Sequence, residues 1–210
     1  MRFLKQHFYL GLLVLTGWTA CSSKEEKVDY FPITQNSLWE YDLTYVVPAM
    51  GSKTGMYKGK VVGKETFGEK EYFKVEVETS GVPGEEKKVE YLRKSEEGVY
   101  RILENDESKT EHLLMPTPLA VGTKWTVSGP EGDIDYEVES KETADVAGQK
   151  YKNCFKIGFA GRMNISDQEG KATGLSYRAP NVGEVKTDVA LVLGDNVTIT
   201  IAMERNTIRH

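Results

Sequence analysis

The sequence has few of the residues that build metal centres and disulfide frameworks. Its 210 residues include two cysteines, Cys21 and Cys154, and three histidines. Two cysteines exclude a disulfide-rich scaffold, and their spacing matches no zinc site. A chain of this length buries enough surface to fold without a disulfide or a structural metal. We therefore expect one globular domain or two small ones, with no cofactor.

The sequence also lacks an excess of positive charge. Lys and Arg number 27 against 32 Asp and Glu, a net charge of −5. Because nucleic-acid-binding domains present a basic surface, this class is excluded.

Motifs for enzymatic chemistry are missing too. The sequence contains no phosphate-binding glycine loop leading into a helix and no G-x-S-x-G nucleophile motif. His112 and Cys154 fall in predicted strands without a catalytic neighbour, so we expect His112 to line the sheet or its surface and Cys154 to pack in the core. We predict that the protein is not an enzyme.

No apolar run approaches the roughly 20 residues of a membrane span. The apolar stretch from Phe8 to Leu15 lies between a basic head and a small-residue exit ending at Cys21, a layout typical of a secretory signal peptide. Removing residues 1–20 takes away Arg2 and Lys5 and no acid, which leaves 25 basic against 32 acidic residues, a net charge of −7. We expect the remaining chain to be exported.

Cys21 directly follows Thr19-Ala20, and this segment resembles the lipobox of bacterial lipoproteins, with Trp18 where leucine is usual. The resemblance implies that Cys21 is acylated and anchors the protein to the membrane. Because Ser22 follows, where Asp would retain a lipoprotein in the inner membrane, it favours the outer membrane. The alternative is an ordinary cysteine beside a conventionally cleaved signal.

Residues 21–29 are too polar to fold alone and predict a flexible tether. Within it, Lys24-Glu25-Glu26 resembles the surface-export signal of some Gram-negative lipoproteins, although a solvated linker explains the same residues. The lipid anchor therefore places the domain on the periplasmic face of the outer membrane or on the cell surface.

From Tyr30 onward, apolar and polar residues alternate. Trp39, Tyr41 and Leu43 fall on one face of a strand, and Glu40 and Asp42 fall on the other. One buried and one wet face per strand is typical of an antiparallel sheet. We predict one all-β domain over 30–210, an antiparallel meander of about 12 strands that curls into a barrel or an open half barrel. The Gly-containing segments 47–54 and 161–171 are predicted to be long loops.

The two halves of this domain resemble each other. Pro32 precedes Trp39 by seven residues, as Pro118 precedes Trp125. Three further matches follow in the same order: 63–66 with 140–143, 73–75 with 155–157, and Tyr91 with Tyr177. Together they predict a duplicated unit of about six strands, spanning about 32–117 and 118–204. A closed, filled barrel would be a structural module, whereas an open concave sheet would be a binding site.

Residues 177–186 read Tyr-Arg-Ala-Pro-Asn-Val-Gly-Glu-Val-Lys, and Pro180 and Gly183 predict a sharp turn within them. This segment, the Phe31-Pro32 to Trp39 segment, residues 114–125 and Asn153-Cys154-Phe155-Lys156 resemble bacterial lipoproteins of the DUF3108-like group, also called the TapB family. The resemblance covers most of the exported chain. It implies a β-rich envelope lipoprotein, similar in shape to the half-barrel lipoprotein carriers, and it brings no catalytic residues with it.

Four carboxylates share one face of a predicted strand: Asp133, Asp135, Glu137 and Glu139. A weak calcium site or a glycan-cleaving acid pair would need such groups. Side chains on one strand face are about 6.6 to 7 Å apart, which is loose for shared coordination, so we expect a solvated charge ladder instead. Its expected cross-strand partners are Lys150, Lys152 and Lys156.

Aromatic residues are the remaining enrichment. Most of them are expected in the core, but a concave aromatic wall could also stack a sugar or hold an acyl chain. The ligand-facing candidates are Trp39, Tyr41, Trp125 and Tyr136. We predict an envelope lipoprotein that binds a small amphiphile, a glycan or a protein partner on a curved sheet. The alternative is a structural module without a ligand pocket.

Overall fold

A computed structural model describes residues 28–209, except 49, 82–85, 130–131, 166–167 and 195–196. Within these residues the chain forms strands and turns and no helix. The strands are β1 (Leu38–Val47), β2 (Gly51–Phe67), β3 (Lys70–Ser80), β4 (Glu86–Lys94), β5 (Gly98–Leu103), β6 (His112–Pro116), β7 (Lys124–Gly129), β8 (Gly132–Val146), β9 (Gln149–Ile165), β10 (Gln168–Ala179), β11 (Gly183–Leu193) and β12 (Val197–Arg209).

The twelve strands form one antiparallel sheet. The order is β6-β5-β4-β3-β2-β1-β12-β11-β10-β9-β8-β7, so the first and last strands pair with each other. The sheet thereby curls into a nearly closed barrel, and the one unsealed seam lies between β6 and β7. The predicted all-β meander of 12 strands is confirmed. The described residues contain no helix that is long and apolar enough to cross a bilayer.

The two segments predicted as long loops are mostly strand. β2 begins at Gly51, β9 ends at Ile165, and β10 begins at Gln168. Residues 51–54 are exposed on both faces of β2, so no apolar alternation marks them as strand. Gly161 looked like a turn residue, but a Cβ at this position would come 2.1 Å from the Asp133 carbonyl oxygen. This glycine permits close strand packing rather than a turn.

The barrel interior contains three inner clusters of buried apolar residues among the described residues, the third of which is built on Ala172, Leu191 and Ile199. The first is built on Ile33, Val61, Val75, Val77 and Leu92, and Trp39 packs against it. The second is built on Val138, Phe155 and Ile157, and Leu119, Trp125 and Tyr136 pack against it. The inward side chains alternate with outward ones, as in any strand with one buried face.

Each half of the barrel contains a β-bulge beside a fully buried valine. The register of β2 on β3 shifts after Val61, which faces Val75. The register of β8 on β9 shifts after Val138, which faces Ile157. These are the positions that the predicted duplication aligns. The correspondence agrees with two related halves, and their common origin stays a prediction.

Residues 28–37, which we call the strap, cross the barrel end at which β1 begins. The Asp29 backbone N–H donates to Asn181 Oδ1 at 2.9 Å, and the Asn181 N–H donates back to the Asp29 carbonyl at 2.7 Å. Lys94 Nζ lies 2.5 Å from Asp29 Oδ2. Further along, Ile33 is buried in the first inner cluster. The strap is therefore fixed to both halves of the barrel.

Candidate functional site

A pocket of about 230 Å³ lies inside the barrel beneath the strap. Phe31 and Pro32 of the strap contribute to its lining, and both halves of the sheet supply the rest. The apolar part of the wall comprises Trp39, Val75, Val77, Leu92, Leu114, Val182 and Met203. At about 30 Å³ per water molecule, this volume corresponds to roughly eight waters.

The Trp39 indole forms one wall because the facing residue has no side chain. Trp39 pairs with Gly59 of β2, and a Cβ at Gly59 would come 2.7 Å from the indole Nε1. The ring therefore lies closely against the β2 backbone. Any larger residue at position 59 would push Trp39 away from this wall.

Two tyrosines lie side by side in the pocket lining. The rings of Tyr41 and Tyr57 meet edge to face, with centroids 5.8 Å apart. The Tyr41 hydroxyl donates to the Glu184 carbonyl at 3.1 Å. Burial, followed by the nearby negative charge of Glu184, raises the pKa of Tyr41 well above its ordinary value. Burial and Glu90 raise the pKa of Tyr57 in the same way. Both hydroxyls are therefore neutral hydrogen-bonding groups at physiological pH.

Charged side chains also line this pocket, and both acids have partners. Glu184 Oε2 accepts from Arg178 Nη2 at 3.1 Å and from Ser176 Oγ at 2.9 Å. Glu90 Oε1 lies 3.2 Å from Lys88 Nζ and 3.8 Å from Arg101 Nη1. Such pairing offsets part of the cost of burying charge.

Arg205 differs from the other basic groups. It is 8% exposed, and its Nη1 donates to the carbonyls of Val182 and Glu184 at 2.6 and 3.2 Å. Its guanidinium carbon lies 6.0 Å from the centre of the Tyr41 ring. The buried Nε has no hydrogen-bond acceptor. In the part of the chain that the structure describes, Arg205 forms no ion pair with a carboxylate.

A second aromatic group lies beside the seam. Trp125 stacks on Tyr136 with centroids 5.1 Å apart and an interplanar angle of 9°, and Tyr136 contacts Phe159 at 5.5 Å. By strand register all three rings lie on the inward face of the sheet, the face that also carries Val138 and Ile157. The four aromatic candidates from the sequence therefore divide into two places. Trp39 and Tyr41 line the pocket beneath the strap, whereas Trp125 and Tyr136 pack against the second inner cluster at the seam.

The charged residues of the pocket were not predicted from the sequence. Glu90 and Arg205 occupy inward positions of strands, and Arg178 and Glu184 belong to the segment 177–186 that we interpreted as a turn. The turn itself is present, since Asn181 and Gly183 have φ values of 58° and 88°. The sequence signal that could have revealed these pocket residues is a charged residue at a position where the alternation predicts an inward side chain.

The carboxylate ladder on β8 has other partners than predicted. Glu139 pairs with Lys156 at 2.9 Å as expected, but Glu137 pairs with Lys124 of β7 at 3.0 Å. Lys150 is in register with Asp145, and Lys152 forms no ion pair in the described chain. The expectation for these two lysines was wrong because the β8–β9 hairpin turns directly after Val146, which places both lysines near the turn and beyond the end of the carboxylate ladder at Glu139. No cluster among the described residues offers three His, Cys, Asp or Glu side chains to a metal ion.

Cys21 and the segment Lys24-Glu25-Glu26 lie outside the described residues. The other cysteine, Cys154, is fully buried in an outer cluster with Tyr151, Ala179 and Val185. Its thiol donates to the Tyr151 carbonyl at 3.2 Å, and burial raises its pKa. Cys154 is thus buried in a packed apolar cluster, in agreement with the prediction that it packs in the core.

No family model and no curated protein matches the sequence. Two solved structures are similar to this chain. A protein of Bacteroides fragilis, named as an exported protein with a YmcC-like fold, is 10% identical with a TM-score of 0.52, over 86% of this chain and 100% of that one. A protein of Parabacteroides distasonis, named as a lipoprotein, is 14% identical with a TM-score of 0.44, over 85% of this chain and 99% of that one.

The likeness to the B. fragilis protein shows a shared fold and, at this identity, nothing of function. Membership of the DUF3108-like group stays a prediction, because it depends on short segments alone.

Proposed function

We propose that this protein is a lipid-anchored component of the bacterial envelope that binds a small amphiphilic molecule inside its barrel and catalyses no reaction. The observation that carries the proposal is the pocket of about 230 Å³ beneath the strap. One part of its wall is apolar and another part is charged. An amphiphile has the same division, so its two ends would each meet a matching surface.

A purely structural module is the alternative, and the pocket lining argues against it. A filled barrel buries apolar side chains, because burying charge costs free energy unless every group is paired. This interior instead contains Glu90, Glu184, Arg178 and Arg205 around an unfilled space. A protein partner or a long glycan is too large for the pocket, which favours a small ligand.

The envelope assignment is supported by the sequence and by the strap. The signal-like segment and the lipobox-like Cys21 predict export and acylation. The B. fragilis structure that shares the fold is named as an exported protein. Cys21 is eight residues before Asp29, so an extended tether spans at most about 28 Å. A lipid on Cys21 would hold the strapped end of the barrel near the outer membrane.

Native mass spectrometry of the protein purified from its own envelope tests the ligand. The expected spectrum contains the acylated chain together with a small bound molecule. Met203→Trp fills the pocket from β12 and should abolish the extra mass. Ala202→Trp adds the same side chain to the neighbouring residue, which faces outward, and should leave the ligand bound. A wild-type chain without any adduct would reject the binding function and favour the structural module.

Membrane fractionation tests the anchor separately. Cys21→Ala should move the protein from the membrane to the soluble fraction, and Ser22→Ala should leave it on the membrane. Retention of Cys21→Ala on the membrane would reject the lipid anchor. Protease treatment of intact cells then distinguishes the two sides of the outer membrane, because only a surface protein is cleaved.

A further inference from the structure

We infer that the pocket binds its ligand through a carboxylate group held by Arg205. The inference depends on the proposed function, and it adds the charge and the chemical class of the ligand. Its starting point is the balance of charge inside the barrel.

The barrel interior is basic, although the chain as a whole is acidic. The sequence has a net charge of −5. Among the described residues, the partly or fully buried charged side chains on the inward positions around the pocket are Lys88, Glu90, Arg101, Arg178, Glu184 and Arg205. Four of these are cations and two are anions. The interior therefore carries an excess of positive charge that the surface does not share.

Both anions inside the barrel form ion pairs with other cations, so Arg205 has no anionic partner among the described residues. Glu90 is paired with Lys88 and Arg101, and Glu184 is paired with Arg178. Arg205 donates from Nη1 to two backbone carbonyls, while its buried Nε has no acceptor. Carbonyl oxygens solvate a guanidinium but do not neutralise it. A buried cation in this state costs free energy that a bound anion would recover.

The geometry of the unused donors favours a carboxylate. Nε and Nη2 form one edge of the guanidinium, and a planar carboxylate can accept from both nitrogens of such an edge. The neighbouring wall of Trp39, Val75 and Leu92 is apolar and suits a hydrocarbon body. A fatty acid and any other acid with an apolar body share this chemistry, and both would place one negative charge at Arg205.

Isothermal titration with a matched pair of probes tests the inference. Octanoate and octan-1-ol have the same chain and differ in the charge of the head group. We use the full exported chain carrying Cys21→Ala, so that no detergent competes for the probes. At pH 7 we expect octanoate to bind at least about tenfold more tightly than octan-1-ol, the size of one charged hydrogen-bonded contact.

Two variants assign the difference to Arg205. Arg205→Gln should remove the preference for octanoate, whereas Arg162→Gln should keep it. Arg162 is the matched control because its side chain is 76% exposed and pairs with Glu169 on the surface. Both variants change the net charge equally. If Arg205→Gln fails to fold, the affinities of octanoate and octan-1-ol for the chain with Arg205 in place still test whether the pocket prefers a carboxylate.

The outcomes separate this inference from the proposed function. Equal affinities for octanoate and octan-1-ol would overturn the role of the carboxylate and leave a binding pocket. Failure of both probes, with a neutral molecule in the native mass spectrum, would also overturn it and keep the binding function. Failure of both probes with a bare native mass would overturn both proposals.

Discussion

Trp125 bonds to Leu114 across the seam of the barrel: the indole Nε1 donates to the Leu114 carbonyl at 2.9 Å. β7 and β6 form no backbone ladder in the described chain, so this side chain joins two facing strand edges. At the opposite junction, β12 and β1 pair along their backbones from Leu38 to Val46. At the seam, the hydrogen bond of one indole helps to connect two strands. At the other junction, backbone hydrogen bonds between β1 and β12 make this connection.

Trp125→Phe should loosen the seam without removing the aromatic stack on Tyr136. The lost hydrogen bond should cost about 0.5 to 1.5 kcal/mol of unfolding free energy, and amide exchange should accelerate in β6 and β7. Denaturant unfolding and hydrogen exchange measure the two effects. Trp39→Phe is the control, because β1 has ladders on both sides. The same acceleration in both variants would contradict a specific role for Trp125.

Gly59→Ala should destabilise the barrel and displace the Trp39 indole. The new Cβ would come 2.7 Å from Nε1 and 2.8 Å from Cε2 of the ring, so something must move. We expect a loss of about 1 to 3 kcal/mol and a changed tryptophan emission spectrum. Gly63→Ala lies on the same strand with open space around it and should stay within about 0.5 kcal/mol of wild type. Equal losses of unfolding free energy in the two variants would show that replacing any glycine of this strand has the same cost and that the contact with Trp39 is not its cause.

Glu111 should contribute stability that is lost in acid. Burial acts to raise the pKa of Glu111, but hydrogen bonds from Arg93, Lys70 and Tyr72 outweigh it and lower the pKa to about 2 from 4.5. A depressed folded-state pKa gives stability that is complete above the unfolded-state pKa, near 4.5, and is lost as pH falls towards 2. Glu111→Gln should reduce the unfolding free energy at pH 7 by about 1 to 3 kcal/mol.

The same variant should flatten the dependence of stability on pH between about 4.5 and 2, measured by thermal unfolding at a series of pH values. Glu71→Gln provides the control, since Glu71 is 60% exposed in its pair with Lys64 and should cost less than about 1 kcal/mol. An unchanged acid limb in Glu111→Gln would show that other carboxylates control acid unfolding.

Cys154 should be unreactive in the folded protein. It is 0% exposed, and burial raises the pKa of its thiol, so little thiolate is available to attack a reagent. In the Cys21→Ala chain, which has one thiol, Ellman's reagent should release no thiolate until denaturant is added. Rapid labelling under native conditions would show that the outer cluster around Cys154 opens readily.

The alternation of apolar and polar residues predicted a meander of about twelve strands because a strand of this sheet has one inward and one outward face. Trp39, Tyr41 and Leu43 illustrate this, since they alternate with Glu40 and Asp42 in both the sequence and the sheet. The pattern failed where hairpins extend beyond the core and both faces meet solvent, as at residues 51–54.

The pocket could not be located in this way, because its chemistry depends on which strands close the barrel. Arg205 of β12 meets Tyr41 of β1 only through the pairing of the last strand with the first. In the sequence, Glu90 is indistinguishable from an ordinary polar strand residue. Only the folded sheet places Val75 and Arg101 beside it. Alternation specifies the face of a strand, whereas closure of a sheet is a long-range property.

The pairing of β1 with β12 also bears on the order of events during folding. Every other ladder joins strands that are neighbours along the chain and can form as the chain emerges. β1 must wait with one edge open until β12 has been synthesised, because no other described strand pairs with that edge. Contacts so distant in sequence form slowly. The pocket beneath the strap, which includes both Tyr41 and Arg205, is therefore complete only after the last strand has docked.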